Sequence, residues 1–77
     1  MEKTFIVDHK LYPRKAISEA RIAYKDHCTF MAEPLIGDKV KLKIVVSSKY
    51  SDAGREVILS FLNYALDKAA ESQLEST

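Results

Sequence analysis

The sequence predicts an α+β domain, a two-layer sandwich of order βαββα. Three observations carry this. Residues Lys39–Ser47 alternate apolar Val40, Leu42, Ile44 and Val46 with Lys39, Lys41, Lys43, Val45 and Ser47, the period-two pattern of a strand with one buried and one wet face. Two segments, from about Pro13 to Asp26 and from about Ala53 to Ser72, place apolar residues at spacings of three and four, as amphipathic helices do. Two further β-compatible segments, Thr4–Leu11 and Cys28–Glu33, complete the set.

The first strand reads as Thr4–Leu11, with Phe5, Val7, His9 and Leu11 on the core face and Ile6, Asp8 and Lys10 on the other. Pro13 stops it and suits the first position of a helix, because it lacks an N–H and its φ is fixed. Along that helix Ala16, Ile17, Ala20, Ala23, Tyr24 and His27 form one face, rich enough in alanine to lie close to a sheet. Ile22 flanks this stripe, and Arg14, Lys15, Glu19, Arg21 and Lys25 point to water. Pro34 assigns Cys28–Glu33 to an edge or strand end, since proline gives no ladder donor. Ile36-Gly37-Asp38 turns the chain into the alternating strand, making a hairpin. Ser51 or Asp52 is placed to cap the second helix. That helix buries Val57, Ile58, Phe61, Leu62, Ala65 and Ala69, with Tyr64 and Leu66 widening the stripe. Residues 73–77 have little to pack on and are expected to fray.

Placing the third strand between the first and second makes every neighbouring pair antiparallel and puts the most regular strand at the centre. Both helices then cover one face and the reverse face stays open. The chain of 77 residues forms one domain, with no linker, repeat or low-complexity segment.

Composition excludes several functions. Twelve basic and eleven acidic residues balance to a formal +1, without the basic excess of a nucleic-acid-binding surface. No apolar run reaches the roughly 18 residues of a membrane span, and Met1-Glu2-Lys3 leads straight into a strand. A soluble, cytoplasmic protein is expected. The single Cys28 forms no internal disulfide, which agrees with a reducing compartment.

Chemistry-bearing residues are few. His9, His27 and Cys28 are the only soft or borderline metal ligands, short of the four ligands usual at zinc. A Cys28–histidine nucleophile lacks an orienting third residue, and neighbours on a strand point to opposite faces. Glu33 and Asp38 make no recognisable acid–base pair, and Gly37 and Gly54 make no phosphate loop. No catalytic residue, metal or cofactor is therefore expected.

The open sheet face is the candidate surface. Lys39, Lys41 and Lys43 form a basic ridge that is either an ordinary solvated face or a docking surface for an acidic protein or peptide. Asp8 and Glu33 can pair with it across the sheet. Ile6, Met31 and Val45 share that face, and if clustered they suit a protein contact or a homodimer. Asn63, a polar amide beside Leu62, either bonds a loop or neighbouring chain or is solvated. Leu66 and Leu74 in the tail of the second helix offer a route to helix-mediated pairing.

Two segments resemble a known family. Leu11-Tyr12-Pro13-Arg14-Lys15-Ala16-Ile17-Ser18-Glu19-Ala20, continuing to Ala23-Tyr24-Lys25-Asp26-His27-Cys28, is similar to the Tyr-Pro-x-x-Ala-Ile helix of HxsD-like proteins. Phe61-Leu62-Asn63-Tyr64-Ala65-Leu66-Asp67-Lys68 is similar to that family's Leu-Leu-Asn-Asp-Tyr-x-Leu-Arg-Glu ending, with one residue fewer between Asn63 and Tyr64. The resemblance implies a non-catalytic accessory protein of the His-Xaa-Ser peptide-maturation system, in which radical SAM enzymes act on a repeat-containing precursor. The family brings no catalytic residues to carry over; Tyr12, Pro13, Ala16, Ile17, Phe61, Leu62, Asn63 and Tyr64 match as structural positions.

Overall fold

A computed structural model describes residues 1–75 of the chain, with side-chain burial through residue 71. The order is β1 (Glu2–Asp8), α1 (Arg14–Ala23), β2 (Cys28–Pro34), β3 (Lys39–Val46), a 3-10 turn (Ser48–Ala53) and α2 (Gly54–Glu75). The sheet is antiparallel in the order β1-β3-β2, the order expected from placing the most regular strand at the centre. Both helices lie on one side of it.

The alternation of β3 is the organising feature. Val40, Leu42, Ile44 and Val46 are buried, while Lys39 and Lys41 are exposed and Lys43 and Val45 half-buried. Register carries the same parity to both neighbours. Phe5 and Val7 of β1 oppose Leu42 and Val40, and Cys28 and Phe30 of β2 oppose Val46 and Ile44. Onto this face α1 contributes Ile17 and Ala20 and α2 contributes Ile58, Phe61 and Ala65. Phe61 has no exposed surface and meets Tyr24 edge-on at 5.8 Å and Phe30 at 4.9 Å.

The ends of several elements differ from the sequence expectation. β1 begins two residues earlier and stops at Asp8 rather than Leu11. There the Asp8 carboxylate accepts from the Lys10 N–H at 2.9 Å, and the Asp8 carbonyl accepts from Leu11 and Tyr12. This turn lifts Leu11 off the core face and leaves it 66% exposed. His9 is half-buried at its start, with Nδ1 2.9 Å from the Tyr12 carbonyl.

α1 stops at Ala23, so Ala23 and Ile22 are exposed and Tyr24 and His27 lie in the turn beyond. Its alanine face brings it close to α2 rather than to the sheet: Ala16 and Ala20 on α1, and Ala65 and Ala69 on α2, are all buried. Gly37 has φ +78° in the β2–β3 turn, a conformation that favours glycine. The chain leaves β3 through the 3-10 turn, where Ser47 accepts from the Lys49 N–H at 3.4 Å, a role the sequence suggested for Ser51 or Asp52 on the helix itself. Gly54 starts α2 hard against the Met1 side chain, from which an added Cβ would sit 3.0 Å away. α2 keeps its helical backbone to Glu75, three residues past the expected end; Ser76 and Thr77, also expected to fray, lie outside the described residues. At about 1.5 Å per residue α2 is about 33 Å long, longer than the roughly 26 Å of β3.

Candidate functional site: the open sheet face and the β1 edge

Residues of even number on β1 and odd number on β2 and β3 project away from the helices. They form a grid three strands wide. Its rows are Glu2–Val45–Thr29, Thr4–Lys43–Met31, Ile6–Lys41–Glu33 and, at one corner, Asp8–Lys39. The expected face therefore exists and carries Ile6, Met31, Lys39, Lys41, Lys43 and Val45 together. Ile6 is 67% and Met31 60% exposed. These two do not touch as neighbours, because they flank β3 on opposite sides with lysines between them. Met31 is diagonal to Val45.

Three carboxylates share the face with the three lysines. Glu2, which lies on β1 only because that strand starts early, bonds Lys43 at 3.4 Å. Asp8 lies opposite Lys39 and Glu33 opposite Lys41, yet among the described residues neither makes an ion pair there. Asp8 is engaged in its own turn. Lys39 and Lys41 thus present unpaired ammonium groups beside Ile6. A shallow depression of about 300 Å³, lined by Thr4, Met31, Glu33, Lys41 and Lys43 among others, occupies the centre.

A second feature was not legible in the sequence. Beside β1, on the helix side, an apolar groove of about 260 Å³ is lined by Phe5, Ile6, Leu11, Tyr12, Leu62 and Ala65. Leu59 and Leu66 lie one turn either side of Leu62 on α2 and are 52% and 53% exposed. Leu66 thus extends a surface strip rather than the buried stripe. Asn63 is exposed on α2. Leu74, on the last helical turn, lies beyond the side chains described.

The residues with nucleophile or ligand chemistry do not converge. Cys28 is 5% exposed on the core face, and burial raises its thiol pKa above the ordinary 9.0. His27 stacks on Tyr50 with ring centres 4.5 Å apart and is 5.8 Å from Tyr24; its Nδ1 is buried with no partner among the described residues. His9 is tied to Tyr12 at the other end of α1. Among the described residues, no three His, Cys, Asp or Glu side chains assemble as a metal site. Among the same residues, no helix is long and apolar enough to cross a membrane.

Fold and surface define a class: a small α+β domain whose sheet is clothed on one side only. No family model matches the chain, and no curated protein or solved structure matches it significantly.

Proposed function

We propose that the protein is a non-catalytic binding protein that presents its open sheet face to an acidic segment of a protein or peptide. The observation that carries this reading is that Lys39 and Lys41, beside exposed Ile6 on the three-stranded sheet, make no ion pair among the described residues. Charge of one sign on the partner, matched to these lysines, gives orientation and association rate, and Ile6 and Met31 supply desolvated contact. Two observations support a role without catalysis: Cys28 is buried with a raised pKa, the reverse of what activates a thiolate, and neither histidine is hydrogen-bonded to it.

The resemblance of the Tyr12–Ile17 and Phe61–Lys68 segments suggests a particular setting, an accessory role in radical-SAM-dependent maturation of a His-Xaa-Ser precursor, acting in the cytoplasm. The gene neighbourhood tests that setting: a radical SAM enzyme and a repeat-containing precursor encoded alongside support it, and the lack of both contradicts it. The surface is tested by titrating those two proteins with the wild type and with Lys39→Glu/Lys41→Glu. A loss of at least tenfold in affinity, with a wild-type affinity that falls as salt rises, is expected. Equal affinity of the two forms would refute the assignment of the face.

A further inference from the structure

The two edges of the sheet are not equivalent. Met1 and His9 bond β3 through Val46 N–H to Met1 carbonyl and His9 N–H to Asp38 carbonyl, both at 2.8 Å. In an antiparallel ladder bonded residues alternate, so Lys3, Phe5 and Val7 also face β3. Glu2, Thr4 and Ile6 therefore aim both N–H and carbonyl outward from the free edge. Asp8 aims outward too, but its carbonyl already accepts from Leu11 and Tyr12.

Just beyond the two ends of β2, the Leu35 N–H donates to the Lys39 carbonyl and the His27 carbonyl accepts from Ser47, so Cys28, Phe30, Ala32 and Pro34 face outward. The Cys28 N–H is taken by the Tyr24 carbonyl, and Pro34 has none. The β2 edge is blocked at both ends; the β1 edge is open from Glu2 to Ile6. Long unprotected edges are the places where chains add strands.

We infer that two copies of the chain pair through their β1 edges, joining their sheets into one. The β1 strand is self-complementary about Thr4. An antiparallel two-fold centred there sets Thr4 opposite Thr4 of the second copy, and Glu2 opposite its Ile6 in both directions. These three opposed pairs use all the free groups of Glu2, Thr4 and Ile6 and do not call on the Asp8 carbonyl. Lys3 then faces Phe5 of the second copy, and no like charges are directly opposed. Centring on Phe5 instead would oppose Glu2 and Asp8 twice and would call on that carbonyl.

The occupant must do more than add a strand. The same edge is flanked by the Phe5–Leu11–Leu62 groove and by exposed Leu59 and Leu66. An added peptide strand can seat alternate side chains in the groove, but nothing about it requires the self-complementary register about Thr4 that a second copy meets. A second copy, related by the two-fold, brings its own apolar α2 flank to the same side of the joined sheet. Pairing leaves the lysine face free and doubles it, so the inference does not depend on what that face binds.

Sedimentation equilibrium tests it. The wild type is expected at twice the 8.7 kDa chain mass in the micromolar to millimolar range. Thr4→Pro deletes an outward N–H that β3 does not use, and Leu59→Glu charges the exposed flank; each is expected to weaken dimerisation at least tenfold. Ala32→Pro on the blocked edge and Val45→Glu on the open face are expected to leave the mass doubled. Circular dichroism reports whether each variant folds, and if Thr4→Pro does not, Leu59→Glu decides. A monomeric wild type at all concentrations, a dimer indifferent to Leu59→Glu, or one lost through Val45→Glu instead would overturn the pairing.

Discussion

Truncating Phe61 to alanine tests how the two layers are joined. Phe61 is completely buried and sits where α1, α2 and β2 meet, edge-on to Tyr24 at 5.8 Å and over Phe30 at 4.9 Å. Removing a buried phenyl ring costs about 3–5 kcal/mol, from lost transfer energy and the cavity left behind. Two aromatic contacts worth about 0.5–1.5 kcal/mol each place this site in the upper part of that range. Chains of this size have roughly 4–12 kcal/mol of stability in all, from about 0.05–0.15 kcal/mol per residue. The substitution therefore removes a third of it or more. With a urea dependence of about 1 kcal/mol per molar, the low end for small domains, the midpoint falls by about 3–5 M. Asn63→Ala, two residues along the same helix but exposed, is the matched control and should stay within about 0.5 kcal/mol of wild type. Urea unfolding followed by circular dichroism gives both numbers. A shift below about 1 M for Phe61→Ala, or an equal loss for Asn63→Ala, would show that this face of α2 is not the one against the sheet.

Other substitutions probe separate features. Gly37→Ala forces a Cβ onto a residue at φ +78° and should cost about 1–2 kcal/mol by thermal or urea unfolding, although nothing crowds the added methyl. Lys43→Ala removes an ion pair between two substantially exposed side chains, so its cost should be below about 1 kcal/mol and should vanish in 1 M salt. Cys28 should react with a thiol reagent far more slowly in the folded protein than in urea. Its raised pKa means that the folded state holds the thiol proton more tightly than the unfolded chain. The sign follows: stability from this group is intact below the ordinary value of 9.0 and declines as pH rises past it, and Cys28→Ala should flatten that decline.

Much of the architecture could be read from β3 alone, because strict alternation fixes which residues are buried and a central position follows from its regularity. What surrounds it was less legible where short-range turn chemistry competes with periodicity. Leu11 fits the period of β1, yet the Asp8 side chain captures the Lys10 N–H first and the strand ends. Ala23 fits the period of α1, yet the helix closes at Tyr24. The lysine ridge was visible in the sequence; its neutralisation at Lys43 was not, because Glu2 lay outside the expected strand. That a free edge on the first or second strand could accept a partner strand was open to the sequence; which of the two edges is free was legible only in part. Pro34 marks one end of the β2 edge as blocked in the sequence itself, but which backbone groups point outward depends on register and the block at Cys28 depends on the Tyr24 carbonyl, and neither of these leaves a mark on side-chain pattern.

The most direct test of a sheet clothed on one side only is solvent paramagnetic relaxation of methyl groups with a soluble gadolinium chelate. The Ile6 and Met31 methyls should relax strongly, while those of Ile17, Ile44 and Ile58 should be nearly untouched. Protection of Ile6 and Met31 comparable to that of Ile44 would mean that the reverse face is covered, and the binding surface described for it would not exist.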